Sequence, residues 1–121
     1  MKVRTGIDII EIDRVKDSIE NTEKKFCDKV YTKSEIEYCE SKKMQKYQHY
    51  AARFAVKEAV FKAFSHEIEQ ITWKDIETLN DQDGRPFINL PDKYMKNIED
   101  IDLSISHCKK YAIANVIVLF K

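Results

Sequence analysis

The stretch Arg53-Phe-Ala-Val-Lys-Glu-Ala-Val-Phe-Lys-Ala-Phe64 decides how the rest of the chain is read. At about 100° per residue, Ala52, Ala55, Val56, Ala59, Val60 and Ala63 fall on one apolar face of a helix, with Glu58 and Lys62 at its edge. Phe54 and Phe61 lie on the far side, so both sides of the helix are expected to pack against protein. Glu58 and Lys62 stand one turn apart. That spacing fits a solvated ion pair worth about 0.2–0.5 kcal/mol, and equally a functional acid and base held beside a core.

Working outward, Val3, Thr5, Ile7 and Ile9 alternate with Lys2, Arg4, Gly6 and Asp8, the period of a half-buried strand. Asp8 falls near the end of that strand. Gly6 is one of only two glycines, and a glycine inside a strand pattern predicts a bulge or a close approach by a ligand or another backbone. Towards the C-terminus, Leu103-Ser104-Ile105-Ser106-His107 reads as a strand ending on a histidine, either a hydrogen-bonded structural residue or a site residue.

The remaining elements follow from period and punctuation. Helices are expected over residues 12–20 and 23–30, and Thr32 with Glu35 forms a capping box for a helix through about residue 40. The long helix spans about 45–65. Strands at 71–79 and 86–90 flank a turn at Asn80-Asp81-Gln82-Asp83-Gly84, and Pro91-Asp92 opens a short helix over 93–97. Strands at 101–108 and 111–120 make a second hairpin around Lys109-Lys110. The last strand is apolar at both alternating sets and is expected to be covered on two faces. The fold class is α+β, an antiparallel sheet with a long central helix, in one domain over 1–121.

Composition excludes several functions. With 121 residues the chain has the length of one domain, and the 21 basic and 21 acidic residues leave no net field to recruit nucleic acid or an anionic membrane. No apolar run approaches the roughly 20 residues that cross a bilayer, and the charged start reads as a strand, so a cytoplasmic location is expected. Cys27, Cys39 and Cys108 lack paired metal-ligand spacing and are expected to be reduced thiols.

Residue types narrow the chemistry further. Asp8 and Glu58 suit a hard cation such as Mg²⁺, which takes few protein carboxylates and shares its other positions with water and substrate phosphate oxygens. Lys62 is placed for a diphosphate, and His107 for holding or protonating an oxygen. Phosphoryl chemistry is largely positioning and charge neutralisation, so such a set supplies most of what it needs. No serine stands in an elbow or triad context, so the nucleophile must come from a partner.

In order along the chain, Gly6-Ile7-Asp8, the Phe54-Ala55-Val56-Lys57-Glu58-Ala59 to Lys62-Ala63 helix, Trp73-Lys74-Asp75-Ile76-Glu77, Gly84-Arg85-Pro86 and Ser104-Ile105-Ser106-His107 resemble holo-acyl-carrier-protein synthase, the small bacterial 4'-phosphopantetheinyl transferase family. The resemblance runs nearly the whole chain. It implies transfer of 4'-phosphopantetheine from coenzyme A to a serine of apo acyl carrier protein, releasing adenosine 3',5'-bisphosphate, in support of fatty acid biosynthesis. It further implies Asp8 and Glu58 as Mg²⁺ ligands, and Lys62 and His107 on coenzyme A phosphates. Arg53 and the Gly84-Arg85-Pro86 turn would lie near the adenosine, and Glu58 would be the general base. A homotrimer with sites between subunits is the implied assembly, which offers Phe54 and Phe61 a role at an interface as an alternative to the monomer core.

Two departures stand out. The family continues its long helix into a glycine-rich turn, where this chain has Ser65-His66-Glu67-Ile68, residues that resist the conformations open to glycine. The family docks an acidic carrier on a basic first helix, whereas Arg14, Lys16, Lys24 and Lys25 are interleaved here with Asp13, Asp17, Glu20 and Glu23. Arg14 is the docking residue expected to matter. Two other classes share part of the pattern. A metal-dependent phosphodiesterase or nuclease would add a basic groove, and a non-catalytic coenzyme A or carrier-binding module would not need both carboxylates.

Overall fold

Strict alternation builds the first strand, β1 (Lys2–Glu11), but its apolar set points away from the helix. Val3, Ile7 and Ile9 are exposed, while Gly6 is buried and Asp8 half-buried on the opposite face. The reason is a backbone contact: a Cβ built on Gly6 would stand 1.8 Å from the carbonyl oxygen of Ala59. Only a residue without a side chain lets strand and helix approach so closely. Of the two readings of Gly6, the close approach of another backbone is the one found.

The computed structural model describes residues 1–65 and 67–121, so His66, at the centre of the altered turn, lies outside the described residues. After β1 come α1 (Ile12–Asn21), α2 (Lys25–Val30), α3 (Lys33–Ser41), a 3₁₀ turn (Lys43–Gln45) and the long α4 (Lys46–Phe64). There follow a second 3₁₀ turn (Trp73–Asp75), β2 (Glu77–Asn80), β3 (Pro86–Asn89), α5 (Asp92–Met95), β4 (Ile98–His107) and β5 (Tyr111–Phe120). β5 lies between β1 and β4 in an antiparallel sheet, and β2 with β3 forms a separate two-stranded sheet.

Small residues set the layer spacing. Ala114, Val116 and Val118 of β5 share one core with Ala55, Val56, Ala59, Val60 and Ala63 of α4, all buried, while Ala112 joins a second core with Ile12, Val15, Ala51 and Ala52. The other face of β5 is open in the single chain, contrary to the expectation of two covered faces: Ile117 is exposed, beside Val3 and Ile7 of β1. Phe54 and Phe61, for which an interface was one reading, both pack on Trp73, at centroid distances of 5.2 and 4.9 Å. That packing supports the monomer-core reading.

The expected strand from residue 71 is shortened by local chemistry. Thr72 accepts the Asp75 N–H while the Asp75 carboxylate accepts from Thr72, a capping box that closes the 3₁₀ turn and delays pairing to Glu77. The box at Thr32 and Glu35 is present as expected, but Glu35 does more. Its carboxylate is fully buried and meets Lys57, also fully buried, at 2.8 Å. Lys57 Nζ further donates to the carbonyls of Trp73 and Ile76, and Glu35 accepts the Thr78 N–H. This network ties α3, α4 and β2 together in the core.

Burial pushes the Lys57 ammonium below its ordinary range, with the Glu35 charge opposing that shift. Removing one member leaves a buried charge without its counterpart, which costs about 3–5 kcal/mol. Lys57→Met is therefore expected to lower the unfolding free energy by an amount in that range, read as a lower urea midpoint with an unchanged slope. A loss below about 1 kcal/mol would place this pair among ordinary surface contacts.

Candidate active site

The close seating of β1 on α4 at Gly6 brings Asp8, two residues on, beside the next turn of the helix. Lys62 Nζ donates to Asp8 Oδ1 at 3.0 Å and to the carbonyl of Ile7 at 2.9 Å. Of the two readings of Glu58 and Lys62, the solvated i, i+4 pair is not the one formed, and Lys62 instead bridges helix to strand. Asp8 Oδ2 is buried and has no hydrogen-bond partner. Glu58 is held above the ordinary carboxylate range, first by burial and then by the Asp8 charge, with Lys62 opposing.

Two neighbouring carboxylates, one with an orphaned oxygen and the other with its proton affinity raised by burial and by the first one's charge, form a donor set for a hard cation. No group of three or more possible metal-ligating side chains occurs among the described residues. A pair agrees with the preference of Mg²⁺ for one or two carboxylates, with water and phosphate oxygens in its remaining positions.

Asp8 and Glu58 open onto a cleft of about 470 Å³ lined also by Glu11, Arg14, Val15, Ser18, Phe26, Phe54 and Tyr111. The cleft is polar at the strand end and aromatic opposite. Of the residues singled out in the sequence, Asp8, Glu58 and Arg14 therefore share one space, and Lys62 adjoins it through Asp8. Glu11, Ser18 and Tyr111 carried no sequence signal, because the cleft arises where β1 turns into α1.

Arg53 lies on α4 one turn before Lys57 and is only 3 % exposed. Its guanidinium carbon sits 4.1 Å from the centre of the Tyr38 ring, Nη2 donates to Asn80 Oδ1 at 2.8 Å, and Nε has no partner. Asn80 in turn donates to the Gly84 carbonyl, so Arg53 is linked to the Gly84-Arg85-Pro86 turn. Gly84 has φ +83°, and Arg85 faces Asp102 at 3.5 Å on the surface. His107 is exposed at the end of β4. Ser65, after α4, adopts φ +29°, the side of the map where glycine would be unstrained.

The raised proton affinity of Glu58 has a thermodynamic consequence. Between the unfolded and folded values, the folded state binds more protons, so stability falls as pH rises through that window. Glu58→Gln is expected to melt with the wild type at pH 4 and above it at pH 7.5. Added Mg²⁺ should raise only the wild-type midpoint, by mass action. Equal midpoints at both pH values would mean that Glu58 is not destabilised in the folded state.

With the geometry in hand, comparison with known proteins is direct. Residues 4–116 match the family model of the 4'-phosphopantetheinyl transferase superfamily, and the chain belongs to that superfamily. The chain is 47 % identical to the holo-[acyl-carrier-protein] synthase of Ruminiclostridium cellulolyticum, over 98 % of this chain and 92 % of that protein. It is similar in structure to the Helicobacter pylori holo-[acyl-carrier-protein] synthase solved in complex with coenzyme A, with TM-score 0.85 and 33 % identity over 95 % of this chain and 99 % of that one. The Bacillus anthracis synthase superimposes with TM-score 0.79 at 32 % identity, over 95 % and 94 % of the two chains.

Proposed function

We propose that this protein transfers 4'-phosphopantetheine from coenzyme A to a serine of apo acyl carrier protein, as its relatives are named for doing with their carriers. The observation that carries this reading is the Asp8 and Glu58 pair at the mouth of the cleft, with Lys62 alongside. Asp8 and Glu58 would hold Mg²⁺. Bound there, the cation would neutralise charge on the diphosphate.

The chain's own residues account for the rest. Glu58, its proton affinity raised by burial and by the Asp8 charge, takes the proton of the carrier serine as its oxygen attacks phosphorus. The bond to the departing adenosine 3',5'-bisphosphate breaks as the new phosphodiester forms. Lys62, with its side chain more than half exposed, meets the phosphates, and His107 offers a further donor. Arg14 lines the same cleft from α1 and is the docking contact for an acidic carrier. The aromatic wall of Phe26 and Phe54 supports an apolar approach opposite it.

Incubation with coenzyme A, Mg²⁺ and apo carrier protein should add the mass of phosphopantetheine to the carrier. A carrier of unchanged mass would sink the reading. A nuclease is less well supported, because the cleft carries Asp8, Glu11 and Glu58 against Arg14, the wrong balance for a polyanionic backbone.

The assembly is part of the proposal. The outer face of the large sheet presents Val3, Ile7, Ile9 and Ile117, with a hollow of about 230 Å³ lined by Val3, Ile101, Ile117 and Leu119 together with Asp100 and Asp102. A sheet face with several large apolar side chains exposed calls for a partner, and three copies of the chain would bury it. The Gly84-Arg85-Pro86 turn of one subunit would then close over the adenosine bound to its neighbour. Native mass spectrometry is expected to give a trimer, and Ile7→Lys a monomer with little transfer activity. A fully active wild-type monomer would remove the interface from the mechanism.

A further inference from the structure

His49 lies on α4 one turn before Arg53, half-buried, its ring edge-on to Tyr38 at 5.6 Å between centroids. Tyr38 is a platform for cations. Besides Arg53 at 4.1 Å, Lys42 Nζ stands 4.8 Å from the centre of its ring. The charged groups that bear on His49 are Arg53 from its own helix, Lys42 from the end of α3 and His107 from the end of β4, and none is a carboxylate. Lys46, the nearest basic residue on the preceding turn, is already paired with Glu40 at 3.3 Å. Arg53 itself has neither a carboxylate partner nor a bond at Nε.

An uncompensated guanidinium under an aromatic ring, with three more basic side chains around it, is an arrangement that a multiply charged anion completes. We propose that His49 is a further phosphate-binding residue of the coenzyme A site, binding the anion as imidazolium together with Lys42 and His107 above the buried Arg53. The inference rests on the coenzyme A reading and deepens it. Because Arg53 is nearly sealed, it supplies field, and the surface that an incoming phosphate meets is made by the other three.

Before the anion arrives, burial and the neighbouring cations hold His49 below the ordinary histidine range. The imidazole is therefore neutral near pH 7 and has a proton site to spare. A bound dianion reverses the local sign and favours the charged ring. By linkage, each unit by which the ligand raises that proton affinity strengthens binding tenfold at low pH relative to high pH.

The test is binding of adenosine 3',5'-bisphosphate without metal, followed by calorimetry from pH 5.5 to 8.5 for the wild type, His49→Gln and His49→Lys. Protonation of the ligand affects all three proteins alike, so the ratio of wild-type to His49→Gln affinity isolates His49. That ratio is expected to rise from near 1 at pH 8.5 to about 5–10 at pH 5.5. His49→Lys should hold a tight, flatter profile. The His49 ring proton, followed by NMR, should titrate at higher pH with the bisphosphate bound, which a merely structural histidine would not do. A constant ratio, or a ring titration unmoved by ligand, overturns the proposal while leaving the coenzyme A reading intact. A wild type that binds no bisphosphate at any pH overturns both.

Discussion

Asp8→Ala should lower transfer to apo carrier protein by at least about a hundredfold while leaving the fold in place. Loss of a carboxylate that would hold the cation removes several kcal/mol of transition-state stabilisation, and each 1.36 kcal/mol is a factor of ten. Stability should hardly move. Asp8 contributes one ion pair, to a Lys62 that is more than half exposed, and such pairs are worth about 0–1 kcal/mol. Its second oxygen is buried without a partner, so truncation also relieves an unsatisfied group. The measurement is a steady-state assay beside thermal melting. Near-normal turnover with Mg²⁺ would show that Asp8 is no part of the machinery, and a collapsed melting curve would assign it to the core instead.

The largest effect on folding belongs to Gly6→Ala. The added methyl would lie 1.8 Å from Ala59 O and 2.7 Å from Ala59 C, both backbone atoms in the middle of α4 that cannot rotate aside. Strand and helix would have to separate along a seam that also holds Ala63, at a cost of about 3 kcal/mol or more. The variant is expected to be insoluble, or to melt far below the wild type. Gly84→Ala is the control. Nothing stands within 4 Å of a Cβ there, and only its φ of +83° penalises the change, by about 1–2 kcal/mol. If the two variants melted alike, the close approach at Gly6 would not be what seats β1.

These two residues also separate what was readable in advance from what was not. The capping box at Thr32, the bounds of α4 within a residue and the final hairpin followed from local rules, because caps and periods act over a few positions. The strand expected from residue 71 failed for the same local reason in reverse: a second capping box, Thr72 with Asp75, outweighed β propensity. Asp8, Glu58 and Arg14 were named from sequence and do share the cleft. Lys57 was read as one letter of a motif, and its partnership with Glu35 across 22 positions has no periodic signal at all.

By itself, then, the sequence determined the α+β class, the long helix with its small-residue face and the antiparallel hairpins, all consequences of spacing along the chain, while Asp8 and Glu58 meet only because β1 is seated on α4. Tertiary structure decided which face of β1 turns inward, since alternation is symmetric and only the Ala59 backbone against Gly6 breaks the tie. It also decided that Lys62 pairs with Asp8, not with Glu58. Finally, it decided that Arg53 and Lys57, charged letters on an otherwise ordinary helix, are buried. Burial of a charge depends on counter-charges, rings and carbonyls supplied from distant segments, and no local pattern encodes where those arrive.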